Sequence, residues 1–542
     1  MRTRDAVSGE KLRGGFYTPD VLVDLCLLRL AALTRGRDAL RLLEPSAGDG
    51  AFLRGLGRSS LRDRLQSVTA VEVVPAEAVR SREQLARTAM PGTVLTTSAI
   101  EWAATNVEEF DGAVGNPPFV RFQFYDELDR TAIERLGKRT GLSFAGVSNL
   151  WLPVLLGALC QLRVGGALAF VVPAECFTGI SAGTLRQWLV QNTRDLRFDL
   201  FPPGSFPGVL QEVVVLSGRR VANGIGPVTC TIAEHPRCGR PTAAEHVVSS
   251  GQEPWTKYLL NRSQLDSVRE ASELPIVKEL GSIAKFEVAA VTGANDYFSV
   301  DSPTLDRYEL RPWSTPLLPR IRHAPGLRYL QQDHAEADRS GARVHLLDFS
   351  ERRPNPRLSP GPAAYIAAGE RDELHLRYKC RIREPWYRVP LIRIGEMMLS
   401  KRSHRFPRAA LNEVGVVTTD TIYRGLVKGP GVGRSRDLVA GFHNSLTLLS
   451  AELEGRSFGG GVLELVPSEV GRLRVPLIPG FAADLDRLDS ISRLFGDSDY
   501  LVEETDLLLC KADVGLTQVI LERLREARLS LQQRRLDRNA SS

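Results

Sequence analysis

The chain has 542 residues, 43% of them hydrophobic and 25% charged, which is ordinary for a soluble globular protein and long enough for two or more domains with separate cores. An excess of Lys and Arg (70) over Asp and Glu (64) leaves a formal net charge of +6, which suits a polyanionic partner without requiring one. No apolar run reaches about 18 residues and the basic N-terminus has no apolar core segment, so neither a membrane span nor a secretory signal is expected. The seven scattered cysteines include no CxxC pair, which argues against a zinc ribbon and a disulfide framework and for a reduced, cytoplasmic protein, and no metal is expected.

The first half reads as alternating strands and helices. "PDVLVDLCLLRLAALT" (19–34) puts a proline at the start of an apolar helical run. "RLLEPSAGDGAFLRGL" (41–56) is a strand, a small-residue turn and a helix; "SVTAVEVVPAEAVRSREQLART" repeats that scheme, with the strand ending near Val71 and Glu72. "GTVLTTSAIEW" and "FDGAVGNPPF" supply two more strands, "NLWLPVLLGALCQLRVGG" an amphipathic helix closed by glycines, and "ALAFVVPAECF" a strand apolar throughout. "FPGVLQEVVVLSGRR" carries one further strand. This rhythm predicts an α/β protein with a Rossmann-like, doubly wound parallel sheet, whose ligands sit at the carboxyl ends of the strands.

From about residue 225 prolines, glycines and short strand-like pieces replace the βα rhythm. We therefore expect three segments: an α/β domain over 1–225, a mixed α/β domain over 226–500, and a C-terminal helical tail over 501–542. Basic and aromatic residues interleave in 371–405, where ten Lys and Arg face four Asp and Glu around Trp386 and Tyr387. The tail 514–538 has helically spaced Leu and Ile with an arginine-rich face. Its pattern alone leaves surface decoration, helix packing and phosphate contact open.

Two strand-end stretches carry chemistry. The loop Pro45, Ser46, Ala47, Gly48, Asp49 and Gly50 lets a ligand approach the backbone closely, although GxGxxG is absent. Glu72, at the next strand end, is placed to take both hydroxyls of a ribose. In "GNPPF" the prolines Pro117 and Pro118 have no N–H and forbid both a helix and a central strand. Asn116 adds a side-chain acceptor and Phe119 a flat apolar ring. The stretch is built to accept hydrogen bonds from a planar group and to stack on it.

In order, "GGFYTP" (14–19), "EPSAGDGAFL" (44–53), Glu72, "GNPPF" (115–119), "RVGGALAFVVP" (163–173) and "SFPGVLQEVVVL" (205–216) resemble the gamma class of S-adenosylmethionine-dependent N6-adenine DNA methyltransferases, of the TaqI-like kind found in bacterial restriction–modification systems. The resemblance covers residues 11–220 and continues more loosely through segments between 280 and 473. It implies S-adenosyl-L-methionine as cofactor, double-stranded DNA as substrate, base flipping, a separately encoded restriction endonuclease as partner, and a monomer. It places Thr18 at the methionine carboxylate, Glu44 near its ammonium, and Pro45, Ser46, Ala47, Gly48 and Gly50 along the cofactor, with Glu72 at the ribose. Asn116 and the Pro117 carbonyl would accept the target amine, with Pro118 keeping donors out. Phe119 would stack on one face of the base and Phe206 close over the other. The family's Asp at the third strand end is replaced by Ser98, with Ala99 where an apolar ring contact is common, so cofactor adenine recognition falls to Ser98, backbone groups or Ile100.

Rival readings differ in chemistry. Cytosine C5 methylation needs a nucleophilic cysteine, usually after proline, and no Pro-Cys pair occurs. Cytosine N4 methylation uses the same amine logic, but its usual signature begins with Ser or Asp, so Asn116 leans toward adenine. RNA or protein methyltransferases with NPPF rarely carry a long basic extension, and a non-catalytic DNA specificity subunit would have no reason to keep Asn116, Phe119 and Glu72. No nuclease segment is expected.

Overall fold

The protein is described from a computed structural model over residues 17–107, 109–120, 127–144, 149–178, 182–202, 205–206, 212–222, 224, 226–389, 393–458 and 461–536. Parts of the GGFYTP, SFPGVLQEVVVL and tail segments, residues 14–16, 207–211 and 537–538, lie outside the described residues. The chain divides into two compact units, one ending at Asn261 and the other spanning Arg262–Leu536. The expected boundary at 225 is displaced because two more strands join the first sheet beyond it.

In the first unit, α1 (Asp20–Leu33) leads into β1 (Leu40–Glu44) and α2 (Ala51–Arg58). β2 (Leu65–Glu72), α3 (Pro75–Thr88), β3 (Gly92–Thr96), α4 (Ala99–Thr105) and β4 (Phe110–Gly115) follow. Then come α5 (Glu127–Thr140), α6 (Trp151–Cys160), β5 (Leu162–Pro173), α7 (Gly183–Asn192), β6 (Thr193–Leu200), β7 (Val213–Arg220), β8 (Val228–Glu234) and β9 (Thr242–Val248). The nine strands form one sheet in the order β3-β2-β1-β4-β5-β7-β6-β8-β9.

The sheet is mixed, which corrects the expectation of a parallel one. β3 to β5 run parallel, but β7 pairs antiparallel with both β5 and β6, and β9 antiparallel with β8. β6 turns back into β7 and β8 into β9 as neighbours in the sheet, an arrangement open to antiparallel strands and closed to parallel ones, which need a crossover. Period-two alternation splits the core: Leu42, Ala167, Ala169 and Val171 face α1, α2 and α3, while Leu43, Leu168, Phe170 and Val172 face α4 to α7. α6 is not amphipathic, because Trp151 to Leu159 are all buried, and it stops at Cys160. Gly165 and Gly166, expected to close it, lie inside β5.

The second unit contains a five-stranded sheet of β10 (Ala284–Val288), β11 (Arg328–Tyr329), β12 (Met397–Ser400), β13 (Ala409–Asn412) and β14 (Ile422–Val427), in the order β10-β14-β12-β13-β11. Among its helices are α8 (Ser445–Glu454), α9 (Asp499–Lys511) and α10 (Gln518–Leu536). The tail thus belongs to this unit. Leu521, Leu524 and Leu531 of α10 are buried, Arg528 bonds Asp499 at 2.6 Å, and Arg535 clamps Glu452 with two hydrogen bonds of 2.6 and 3.0 Å. Packing, of the three readings open for its arginine face, is the one these contacts support.

Candidate functional site

The carboxyl ends of β2, β1 and β4 lie side by side, because Glu44 pairs in register with Ala70 and Leu43 with Ala113. The sheet order reverses between β1 and β4, the position at which open α/β sheets form a crevice. The loop after β1 enters it with Gly48 at φ +53° and Gly50 at φ +82°, and Gly50 caps α2. At Gly50 an added Cβ would meet Gln84 and Ser81 of α3 at 2.9 and 3.2 Å. At Gly48 it would meet nothing within 4 Å, so that side of the loop is open.

Glu72 holds this loop. One carboxylate oxygen accepts the Gly48 N–H and the other the Val74 N–H, each at 2.8 Å, and the Ser81 hydroxyl donates to the Gly48 carbonyl at 2.9 Å. The Ala47 N–H donates to the Val71 carbonyl at 3.0 Å. Glu72 and Ser81 therefore shape the turn, a role the sequence pattern did not disclose for either. Each Glu72 oxygen keeps a second acceptor position.

Glu44 is wholly buried, and neither of its carboxylate oxygens has a hydrogen-bond partner. Burial, then the charges of Asp49 and Glu72, push its carboxyl well above the ordinary value, against a smaller opposing pull from Arg54. A raised carboxyl pKa stabilises the fold below the unfolded value near 4.5, and this contribution is lost as pH rises through the folded value. We expect Glu44→Gln to match the wild type near pH 4 and to be the more stable protein at pH 8 when free of ligand, as read by urea unfolding. A wild type at least as stable as Glu44→Gln at pH 8 would show that the carboxylate has a partner.

Asn116 follows β4 directly. Its amide Nδ2 donates to the Thr18 hydroxyl at 3.0 Å, and the Ser46 hydroxyl donates to its main-chain carbonyl at 3.1 Å. The remaining amide oxygen, Oδ1, is buried without a partner. Pro117 is buried, and the Val120 N–H ties back to the Pro118 carbonyl at 3.1 Å. Phe119 is half-buried and touches both cores of the unit. Phe206 packs edge-on to Phe201 at 5.0 Å; Phe201 in turn stacks on His235, whose Nε2 lies 2.8 Å from the buried Asp199. Ser98 is half-buried before α4 and makes no side-chain cap. The structure thus gathers Thr18, Ser46 and Asn116 through hydrogen bonds, and Gly48 with Glu72. For Phe206 it gives an aromatic seat.

In the second unit, Trp386 and Tyr387 are 9% and 6% exposed. They pack into a core with Tyr297, Phe298 and Tyr365. This corrects the picture of a basic–aromatic surface: the aromatic pair is interior, and only the cations around it are available.

Two family profiles match the chain. "Eco57I restriction-modification methylase" covers residues 79–202, and "Type II methyltransferase M.Eco57I, C-terminal domain" covers 252–509. Among curated relatives, the Type II methyltransferase M.XamI of Xanthomonas campestris pv. amaranthicola is 23% identical over 87% of this chain and 86% of its own. M.AccI of Acinetobacter calcoaceticus is 20% identical over 77% and 78%. Among solved structures, the Type IIL restriction–modification enzyme MmeI in complex with DNA aligns over 97% of this chain and 77% of its own, with 13% identity and a TM-score of 0.55, a likeness of fold. The cofactor of a methylase of this fold is S-adenosyl-L-methionine, and the unpaired buried Glu44 beside an open glycine turn fits a ligand that brings a cation into a close backbone contact. The two profiles together place the chain in the Eco57I-like family of Type II restriction–modification methyltransferases.

Proposed function

We propose that the chain is a site-specific DNA adenine-N6 methyltransferase of the gamma kind, the modification enzyme of a restriction–modification system, in which the unit ending at Asn261 performs catalysis and the unit Arg262–Leu536 recognises the target. The observation that carries this reading is the buried, partnerless Oδ1 of Asn116, held at a strand end beside a proline carbonyl. A buried acceptor without a donor is costly, on the order of 1–3 kcal/mol, so such an atom is explained by a donor that arrives with the substrate.

An exocyclic amine is a poor nucleophile because its lone pair is delocalised into the ring. Asn116 Oδ1 and the Pro117 carbonyl accept its two N–H groups and draw the nitrogen toward a tetrahedral shape. That arrangement complements the transition state more than the planar ground state. S-adenosyl-L-methionine supplies an electrophilic methyl group when bound. Glu44, Pro45, Ser46, Ala47, Gly48, Gly50, Glu72 and Ser98 form the surface proposed to hold it, with Glu44 toward the ammonium and Glu72 using its spare acceptor positions on the ribose. The target base is paired and stacked inside a duplex, so it must be flipped out, and Phe119 and Phe206 are the rings proposed to receive it.

Thr18 enters as a positioning residue: by taking the Nδ2 group it leaves Oδ1 as the free atom of the amide. Thr18→Val should lower the single-turnover rate by up to about tenfold, the scale of one neutral hydrogen bond, and Thr18→Ser should restore it. Equal rates in all three proteins would assign Thr18 no part in orienting Asn116. The reading as a whole is tested by incubating the protein with duplex DNA and methyl-labelled cofactor, then digesting to nucleosides. N6-methyladenine is expected; N4-methylcytosine would move the assignment to cytosine, and no label in DNA would overturn it.

A further inference from the structure

In the unit Arg262–Leu536, four segments distant in sequence are tied into one surface. Arg383 donates to the Val291 and Thr292 carbonyls, both at 2.7 Å. Asn295 Nδ2 donates to Asp420 at 3.3 Å, and the Thr419 hydroxyl donates to the Pro319 carbonyl at 3.2 Å. Segments 291–295, 319–323, 376–384 and 418–421 are therefore contiguous. Together they hold six Lys and Arg against two carboxylates, Glu384 and Asp420, and Asp420 already accepts from Asn295.

Five of these cations, Arg320, Arg322, Arg377, Lys379 and Arg381, are exposed. Among the described residues none of the five makes a salt bridge. Some other exposed arginines of this unit are matched, Arg311 by Asp306, Arg339 by Glu336 and Arg357 by Glu370, whereas Arg352, Arg371 and Arg523 are likewise exposed without a salt bridge among the described residues but do not stand in this cluster. The charges of Arg322 and Arg320 are felt by half-buried His323, whose imidazole is pushed below its ordinary value first by burial and then by those two. Apolar groups stand among the cations. Leu376, Tyr378 and Ile382 are 57%, 67% and 68% exposed, and the Arg381 guanidinium lies 5.5 Å from the Tyr378 ring centre.

We propose that this ridge, Arg320 and Arg322 on one segment and Arg377, Lys379 and Arg381 on another, grips the phosphates of duplex DNA while Tyr378 lies against the sugar–base edge between them. The proposal rests on the DNA-methyltransferase reading and narrows it to named side chains. Uncompensated like charges held close repel one another and gain from a partner with regularly spaced negative charge. Exposed apolar groups between them suit the deoxyribose surface better than bulk water does. Buried Trp386 and Tyr387 take no part.

The test is the salt dependence of binding to a duplex carrying a methylated site, measured on the full chain. Combined Arg377→Ala, Lys379→Ala and Arg381→Ala should lower the slope of log affinity against log salt by roughly three units, and Arg320→Ala with Arg322→Ala by roughly two. Arg269→Ala with Arg339→Ala, which removes exposed cations that already have acids (Asp266 and Glu336), should leave the slope at its wild-type value. Cofactor binding should be unchanged throughout, which separates lost DNA contact from lost folding. Wild-type slopes in both ridge variants, in a protein that still methylates DNA, would overturn the ridge and leave the enzyme reading standing; the surface would then suit an acidic protein partner. A wild type that neither binds nor methylates duplex DNA would overturn both.

Discussion

Asn116→Ala should reduce the rate of methyl transfer by on the order of 10²–10³-fold, as when one preorganised hydrogen-bond partner of a transition state is removed. The Asn116 amide is already oriented without substrate, with Nδ2 on Thr18 and Oδ1 free. Its loss therefore takes away an acceptor that needs no rearrangement to act. Duplex binding should persist, because most affinity for DNA comes from phosphate contacts. Phe119→Ala should act on a different step, costing about 1–3 kcal/mol of stacking on the flipped base. Phe119 also touches both cores of its unit, so a drop in thermal stability should accompany it, whereas Asn116→Ala removes an orphaned acceptor and should not destabilise the fold to the same degree. A mismatch opposite the target lowers the cost of flipping. It should partly rescue Phe119→Ala and do little for Asn116→Ala in single-turnover methylation of matched and mismatched duplexes. Equal rescue of both, or none for Phe119→Ala, would show that these roles are wrongly divided.

Arg535→Ala should destabilise the second unit by about 3–5 kcal/mol, the cost of leaving a buried charge without its partner. Arg535 and Glu452 are almost fully buried, paired through two hydrogen bonds, and the guanidinium also donates to the His404, Arg405 and Gly461 carbonyls. Removing it orphans a carboxylate and the His404 and Gly461 carbonyls at once, while the Arg405 carbonyl keeps the Gln532 amide as donor. Arg535→Met with Glu452→Leu should recover much of the loss, because replacing both partners of a buried pair by apolar groups leaves no unpaired charge. The urea midpoint of the full chain reads both. A shift below about 1 kcal/mol for Arg535→Ala would mean that the last turns of α10 are dispensable and that its arginines serve the surface after all.

The strands and helices that carry the candidate site were legible because each is announced locally. β1 and β4 are short apolar runs, the turn between β1 and α2 is rich in small residues, and prolines stop the chain after Asn116. Pro117 and Pro118 restrict the backbone whatever surrounds them. Glu72 could be picked out as the acid at a strand end, but not as the clamp on Gly48 and Val74, since that bond joins residues 24 apart across the sheet. Ser81 gave no signal: a serine inside a helical pattern is common, and its partner is a carbonyl on a different element.

Composition misled where burial decides. Trp386 and Tyr387 sit in a run of ten cations and look like a nucleic-acid surface, yet they pack on Tyr297, Phe298 and each other. The arginine face of α10 was left open by its pattern among surface, packing and phosphate contact, and Arg528 and Arg535 are interior because Asp499 and Glu452 from α9 and α8 come to meet them. By itself the sequence determined the βα rhythm, the glycine turn, the proline-guarded acceptor and the order in which they occur, because period, turn chemistry and proline geometry are properties of neighbours along the chain. Only the tertiary structure decided the direction of β7, the orientation of the Asn116 amide, and which cations of 371–405 remain without an acid, because each depends on which distant residue arrives at contact distance.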